Sequence, residues 1–264
     1  MSEIDASRLA AALKDRYAKI DVVERTGSTN ADLRKALEDG APDRTVLLAE
    51  EQTAGVGRRA RSWSSPKGGL YLSVALRPGV PFSALSSLSI VAGLAVWAAV
   101  FGAGVRATLK WPNDVLVNGA KCAGILAEAV AGADPSIVLG IGLNVLPLGD
   151  VQPGPGGLPA TSLAEQGALN TDRTDIAVAL LRELDEFERQ WRLAGGDLTK
   201  AGMLGAYCAQ CATLGQDVEV QLPDGTTLTG RAADIDAAGQ LQVDVPGGRR
   251  HTVFAGDVVH VRPA

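Results

Sequence analysis

Between Thr108 and Glu128 the chain has little freedom except to run back and forth as three strands. The apolar runs Thr108 to Trp111, Val115 to Val117 and Lys121 to Glu128 are separated by Trp111-Pro112-Asn113-Asp114 and by Asn118-Gly119. Proline fixes one backbone angle and holds the residue before it extended, so a rigid turn presents Asn113 and Asp114 at a defined angle. Asn-Gly favours a two-residue hairpin turn in which both residues take positive φ. Lys110 and Lys121 are thereby gathered around one tight turn, and two ammonium groups amid apolar strand residues point to an anion site.

The flanking segments supply helices and more strands. Ala6 to Tyr17 reads as an amphipathic helix and Ile20 to Glu24 as a strand. Thr26 to Thr29 offers capping side chains for a helix from Asn30 to Glu38, with Gly40 as its stop. Strands follow at Thr45 to Ala49, Gly69 to Leu76 and Ile137 to Gly142, and Pro81 to Phe101 reads as a long apolar helix that covers one sheet face as core. Val151 to Pro159 is a Pro- and Gly-rich surface loop, and Asp172 to Arg192 and Asp197 to Ala209 are two helices. From Leu214 the character changes to five short strands, Val218 to Leu222, Thr227 to Ala233, Leu241 to Val245, Arg250 to Phe254 and Val258 to Val261, with Gly-containing turns between them. The chain therefore predicts an α/β (α+β) mixed sheet with flanking helices over 1–213 and a small β-barrel over 214–264 that packs on it.

Charge and composition narrow the function classes. A formal charge of -5 over 264 residues disfavours a nucleic-acid binder, which needs basic surface to replace phosphate counterions. No run of about twenty residues reads as a membrane span, and the start lacks the basic and apolar blocks of a signal peptide, so a cytoplasmic protein without a membrane partner is expected. Three cysteines make no disulfide framework. Cys208-Ala209-Gln210-Cys211 reads as one face of a buried helix, since a metal site would need two more ligands nearby and the only histidines, His251 and His260, lie far along the chain. No metal-ligand set is assigned.

A second basic segment precedes the lysines. Gln52 to Trp63 contains Gly55, Gly57, Arg58, Arg59 and Arg61 and should be mobile when empty. Arginine forks suit phosphate, and glycines let backbone N–H groups approach the same oxygens. The spacing favours Arg58 and Arg61 as one group, with Arg59 in solvent. The chain has neither a Gly-x-x-x-x-Gly-Lys-Ser/Thr run nor a Gly-x-Gly-x-x-Gly opening a helix, so a bound nucleotide is held in another way. Taken singly, Lys121 is equally well an ordinary edge lysine and Asn113 a residue closing an Asx-turn, and tryptophans such as Trp63 and Trp111 are more often packing residues than base-stacking platforms.

Five segments in order change that balance: Ser28-Thr29-Asn30, Gln52 to Arg61, Lys110 to Asp114, Lys121 to Leu126 and Gly140 to Asn144. Together they resemble the biotin protein ligases, over nearly the whole chain from Val22 onward. The resemblance implies a catalytic sheet like that of class II aminoacyl-tRNA synthetases followed by an SH3-like barrel. It implies ATP and Mg²⁺ as co-substrate and ion, biotin as substrate, biotinoyl-AMP as intermediate, and the lysine of a biotin carboxyl carrier protein or carboxylase subunit as acceptor.

The resemblance also assigns tasks. Ser28, Thr29 and Gln52 would hydrogen-bond biotin's ureido ring, with Asn30, Gly55, Val56, Gly57 and Arg58 beside them. Gly124, Leu126, Gly140, Gly142 and Leu143 would form its walls. Lys121 would bridge the biotin carboxylate and the α-phosphate as the main catalytic residue, with Arg58 and Arg61 holding phosphates. Trp63 and Asn113 would meet adenine, and Lys110 and Asn144 would complete the ATP side.

Val56 stands where the family commonly has arginine, and Cys122 replaces the usual leucine. Fewer than thirty residues precede Ser28, so no DNA-binding domain is expected; a monomer or homodimer is. A lipoate-protein ligase would share the adenylation chemistry and is the alternative reading. Whether Arg231, Arg249 or Arg250 of the barrel reaches ATP is open.

Overall fold

A computed structural model describes residues 3–130, 135–149, 151–254 and 256–260. Strands β1 (Lys19–Thr26), β2 (Thr45–Gln52), β3 (Leu70–Leu76), β4 (Thr108–Lys110), β5 (Asp114–Val117), β6 (Ala120–Val130) and β7 (Ser136–Leu143) form one sheet in the order β1-β2-β3-β7-β6-β5-β4. The first two are parallel and the remaining pairs antiparallel. Helices α1 (Ala6–Leu13), α2 (Thr29–Glu38), α3 (Leu88–Gly102), α4 (Arg173–Leu193) and α5 (Leu204–Gln210) flank it.

Because side chains alternate along a strand, the two faces of this sheet differ. One carries Val46, Leu48, Leu72, Val74, Leu139 and Ile141 and packs on α3 and α4 in the main core. The other begins as core, with Leu47, Ala75 and Val138 under Leu33 and Leu37 of α2. Two residues along the same rows, Ala75 gives way to Ser73 and Val138 to Gly140, followed by Gly142. The packed face thus opens within a strand's length, and the site lies there.

Several expectations are corrected. Phe82–Gly102 is a helical run of 21 residues with a mean hydropathy of 2.0, long and apolar enough to cross a membrane, although no such run was expected. It is 72% buried inside the protein, which agrees with its reading as core: α4 and the sheet supply the apolar surroundings. Helix α1 stops at Leu13, short of Tyr17. Asp197 to Ala209 is turns followed only by α5, because Gly202 takes φ +73 and ends the first turn. The Asn118-Gly119 turn forms as expected, with φ 48 and 76.

The second sheet comprises β8 (Asp217–Gln221), β9 (Thr227–Ile235), β10 (Leu241–Val245), β11 (Arg249–Val253) and β12 (Asp257–His260), in the order β11-β10-β9-β8-β12. It is pinned to the first through the Lys110-Trp111-Pro112 turn. Trp111, 2% exposed, donates from its indole to Gly239 O at 2.9 Å and from its backbone to Thr213 Oγ1 at 3.0 Å. The Trp111–Pro112 peptide bond is cis.

Candidate active site

The open face forms the floor of a cavity of about 560 Å³, walled by the N-terminus of α2, the basic loop, the Lys110–Asp114 turn, the 151–160 segment and the start of β12. Its two ends differ in charge. At the neutral end, Gln52 Oε1 accepts from the Thr29 backbone N–H at 2.9 Å and lies 3.1 Å from Thr29 Oγ1, while Gln52 Nε2 donates to Ser65 Oγ at 2.9 Å. Ser28 occupies the N-cap position of α2 but its hydroxyl makes no capping bond. Asn30 donates to Glu128 Oε2 at 2.7 Å.

Between the ends, Trp63 lies across two glycines. A Cβ at Gly142 would come within 2.4 Å of the Trp63 indole nitrogen, and one at Gly124 within 3.3 Å of its ring. The close approach of Trp63 therefore depends on glycine at 142, while at 124 an added methyl would be tight against the ring and the end of Lys121. Lys121 Nζ stands 5.1 Å from the centre of that ring. The indole N–H is buried and has no partner among the described residues.

The cationic end is filled with internal counterions. Lys121 pairs with Asp114 at 2.6 Å, and Lys110 Nζ donates to Val258 O at 2.6 Å. Burial pulls the Lys110 ammonium below its ordinary range, opposed by Asp114. Arg58, Arg59 and Arg61 all converge on Asp257, at 3.4, 3.6 and 2.7 Å, and Arg58 also donates to Gly256 O at 2.9 Å. Burial draws the Arg58 guanidinium down too, and Asp257 opposes it most.

The expectation that Arg58 and Arg61 act as one group with Arg59 in solvent holds: Arg58 and Arg61 line the cavity, while Arg59 is exposed outside it and makes only the longest contact with Asp257. Arg59 and Ala60 adopt φ 55 and 56, a left-handed kink that turns successive side chains toward one carboxylate. The arginines of the barrel stay away: Arg250 pairs with Asp244 at 2.7 Å, and Arg231 and Arg249 are exposed outside the cavity. The barrel contributes an acid instead.

Most of the residues expected from the sequence are brought together. Ser28, Thr29, Asn30, Gln52, Val56, Gly57, Arg58, Arg61, Trp63, Lys110, Asn113, Lys121, Gly124, Leu126, Gly140, Gly142 and Asn144 all line the cavity. Gly55 and Leu143 do not. Leu143 is wholly buried, paired with Leu70 and Ala123, while Gly55 lies under the loop and accepts from Trp63 N–H at 2.8 Å. Asn113 spends its amide on Ile125 O at 2.9 Å and Asn144 on Thr161 O at 2.9 Å. Lys121 exchanges backbone hydrogen bonds with Pro159 and Thr161, so the stretch read as a surface loop forms a wall beside the lysine.

Asp257, Val258 and Ser73 were not foreseen. No local pattern marks Asp257, the first residue of a short strand. Ser73 was visible as the one small polar residue inside the apolar run of β3. Among the described residues no cluster of three or more His, Cys, Asp or Glu side chains could hold a metal ion. Burial raises the thiols of Cys122 to about 12 and Cys208 to about 11, away from reactive thiolate.

Known proteins share this arrangement. The biotin/lipoate A/B protein ligase family matches residues 22–144, and the biotin protein ligase C-terminal domain matches residues 213–261. A biotin–[acetyl-CoA-carboxylase] ligase of Mycobacterium tuberculosis is 46% identical over 254 residues, covering 93% of this chain and 90% of its own. One from Paracoccus denitrificans is 34% identical over 237 residues, covering 87% and 95%. A biotin protein ligase of Aquifex aeolicus, solved with biotin and ATP, superposes with a TM-score of 0.77 at 26% identity over 94% of this chain and all of that one.

Proposed function

The chain belongs to the biotin protein ligase family, and on that premise we propose how its own residues activate biotin with ATP and pass it to a lysine of an acetyl-CoA carboxylase carrier. The activity is that of a biotin–[acetyl-CoA-carboxylase] ligase, and we infer biotinyl-AMP as its intermediate. The observation that carries the assignment of roles is the position of Lys121, whose ammonium stands where the neutral and cationic ends meet.

Biotin's ureido ring binds at Thr29 and Gln52, with Ser28 beside them. Its tail runs over the glycine floor toward Lys121 once Trp63, which lies directly on Gly124 and Gly142 in the empty site, has lifted away. There a carboxylate oxygen attacks the α-phosphorus of ATP, a new P–O bond forms, and the bond to pyrophosphate breaks. Both reactants are anions, so the step needs positioning and fixed positive charge more than a base. Lys121 leaves Asp114 to bridge the two, and Arg58 and Arg61 leave Asp257 for the phosphates. The carrier lysine then attacks the carbonyl carbon of the mixed anhydride, and AMP departs.

Mg²⁺ fits as an ion carried mainly by the phosphates: Asp114 is a cavity-lining carboxylate that could hold it, and it would supply further charge neutralisation. Asn113 and Trp63 serve the adenine side, although the Asn113 amide N–H must leave Ile125 O or share it. The division of labour falls at residue 213/214, with the second sheet lending Asp257 and Val258. We propose a cytoplasmic monomer or homodimer, and the proposed lack of DNA binding accords with the net charge of -5.

Biotin-dependent pyrophosphate release from ATP and Mg²⁺ tests the reading, with Lys121→Ala and lipoate as controls. Release with biotin alone, lost in the variant, is expected. Equal release with lipoate would transfer the assignment to the lipoate ligases.

A further inference from the structure

Behind Thr29 runs a buried chain of hydrogen bonds that never reaches the cavity's charged end. The Asn30 side-chain nitrogen faces two acceptors, Glu128 Oε2 at 2.7 Å and Leu126 O at 3.4 Å. That fixes which way the amide points, and its oxygen turns to Ser73 Oγ at 2.6 Å. The fully buried Ser73 Oγ also lies 2.7 Å from Thr29 Oγ1. Gly140 leaves room for the arrangement, since a Cβ there would sit 2.2 Å from the Asn30 oxygen.

Each hydroxyl has one proton, and counting protons gives the chain a direction. An amide oxygen cannot donate, so the proton between Ser73 and Asn30 is the serine's. The proton between Thr29 and Ser73 must then be the threonine's, because two oxygens 2.7 Å apart without one would repel. Thr29 has none left for Gln52 Oε1, 3.1 Å away. That oxygen already accepts from the Thr29 backbone N–H. The cavity is left with two acceptors side by side, a contact that a ligand N–H placed between them would relieve.

We propose that Glu128, Asn30 and Ser73 are positioning residues that polarise this chain, so that Thr29 Oγ1 and Gln52 Oε1 form an acceptor pair for one ureido N–H of biotin. The inference rests on the biotin reading above and extends it to three residues that select the ligand through Thr29. A ring without an N–H donor, such as the dithiolane of lipoate, gains nothing from the pair and leaves it unrelieved. Truncating Ser73 frees the Thr29 proton to turn to Gln52 and removes the preference for a donor.

Calorimetric titration of the full chain with biotin, and with biotin methylated at one or the other ureido nitrogen, separates the possibilities. Wild type should bind one methylated analogue much more weakly than biotin. Ser73→Ala should weaken biotin about tenfold, as expected for one buried hydrogen bond, and leave that analogue, ATP affinity and kcat at saturating biotin within about twofold. Glu128→Ala, at a half-buried position, should move biotin in the same direction by less. If both variants weaken biotin and the analogues alike, or leave biotin unchanged, the polarity argument is wrong. Failure of wild type to bind biotin at all would instead overturn the functional reading beneath it.

Discussion

The two ends of the cavity are built on opposite plans. At the biotin end the polar atoms are neutral, buried and tied to one another through Thr29, Asn30, Gln52, Ser65 and Ser73 before any ligand arrives. At the phosphate end every named cation already holds an anion or carbonyl of the protein itself: Lys121 holds Asp114, Lys110 holds Val258 O, and the three arginines hold Asp257. Rigid wiring suits a ligand recognised by hydrogen-bond geometry, where a loose partner would cost affinity. Buried cations without counterions would be costly, so the empty phosphate end keeps stand-ins that ATP must replace. Affinity for biotin should therefore depend on shape and donor pattern, and affinity for ATP on an exchange of ion pairs.

Substitutions on either side should respect this division. Lys121→Ala should lower the adenylation rate by about a thousandfold, as for loss of a group aimed at developing charge, while biotin binding without ATP changes little; rapid-quench and equilibrium titration measure the two. Loss of biotin binding to the same degree would break the contrast. At the other end, Gly140→Ala places a Cβ 2.2 Å from the Asn30 oxygen and should weaken biotin by about 2 kcal/mol of overpacking strain, with ATP binding preserved.

Asp257→Asn leaves Arg58 without its counter-charge and should destabilise the empty protein by about 1–2 kcal/mol, less than for a fully buried pair because Arg61 is 40% exposed. Saturating ATP should return most of that loss, and thermal melts with and without nucleotide would show it. A variant as stable as wild type when empty would mean that Asp257 is not a stand-in. The smallest effect is expected for Val56→Arg, where a half-exposed side chain at the mouth gains a charge. Adenylate release should slow about threefold with biotin affinity unchanged, in keeping with the modest worth of an exposed ion pair; identical release rates would remove Val56 from the account.

The unequal plans also explain what could be read from the sequence. Motifs contiguous in the chain, such as Ser28-Thr29-Asn30 and Lys110 to Asp114, carried most of the biotin end and both lysines, because a turn or cap places neighbours together. The three-strand path from Thr108 to Glu128 followed from Pro112 and Asn118-Gly119 for the same reason. Asp257 was illegible: it meets Arg61 across 196 residues, and only the packing of one sheet on the other joins them. The solvent position of Arg59 was legible, but the left-handed kink at Arg59 and Ala60 was not, because it defies local preference at two non-glycine residues and persists only where surroundings impose it. The stretch Val151 to Pro159 is the largely exposed loop that its Pro and Gly content indicated, but that it also walls the cavity was not legible, because Pro and Gly mark both kinds of loop alike.

The attachment of β12 to the arginines has a consequence for how the enzyme comes into being. During synthesis, residues up to 253 include the whole biotin end and every cation of the phosphate end, yet neither Asp257 nor the Val258 carbonyl. A nascent chain at that stage carries Arg58, Arg59, Arg61 and Lys110 with those partners still inside the ribosome. Because β12 follows every other element of the site in chain order, the counterions of the empty site are synthesised after all the cations they hold.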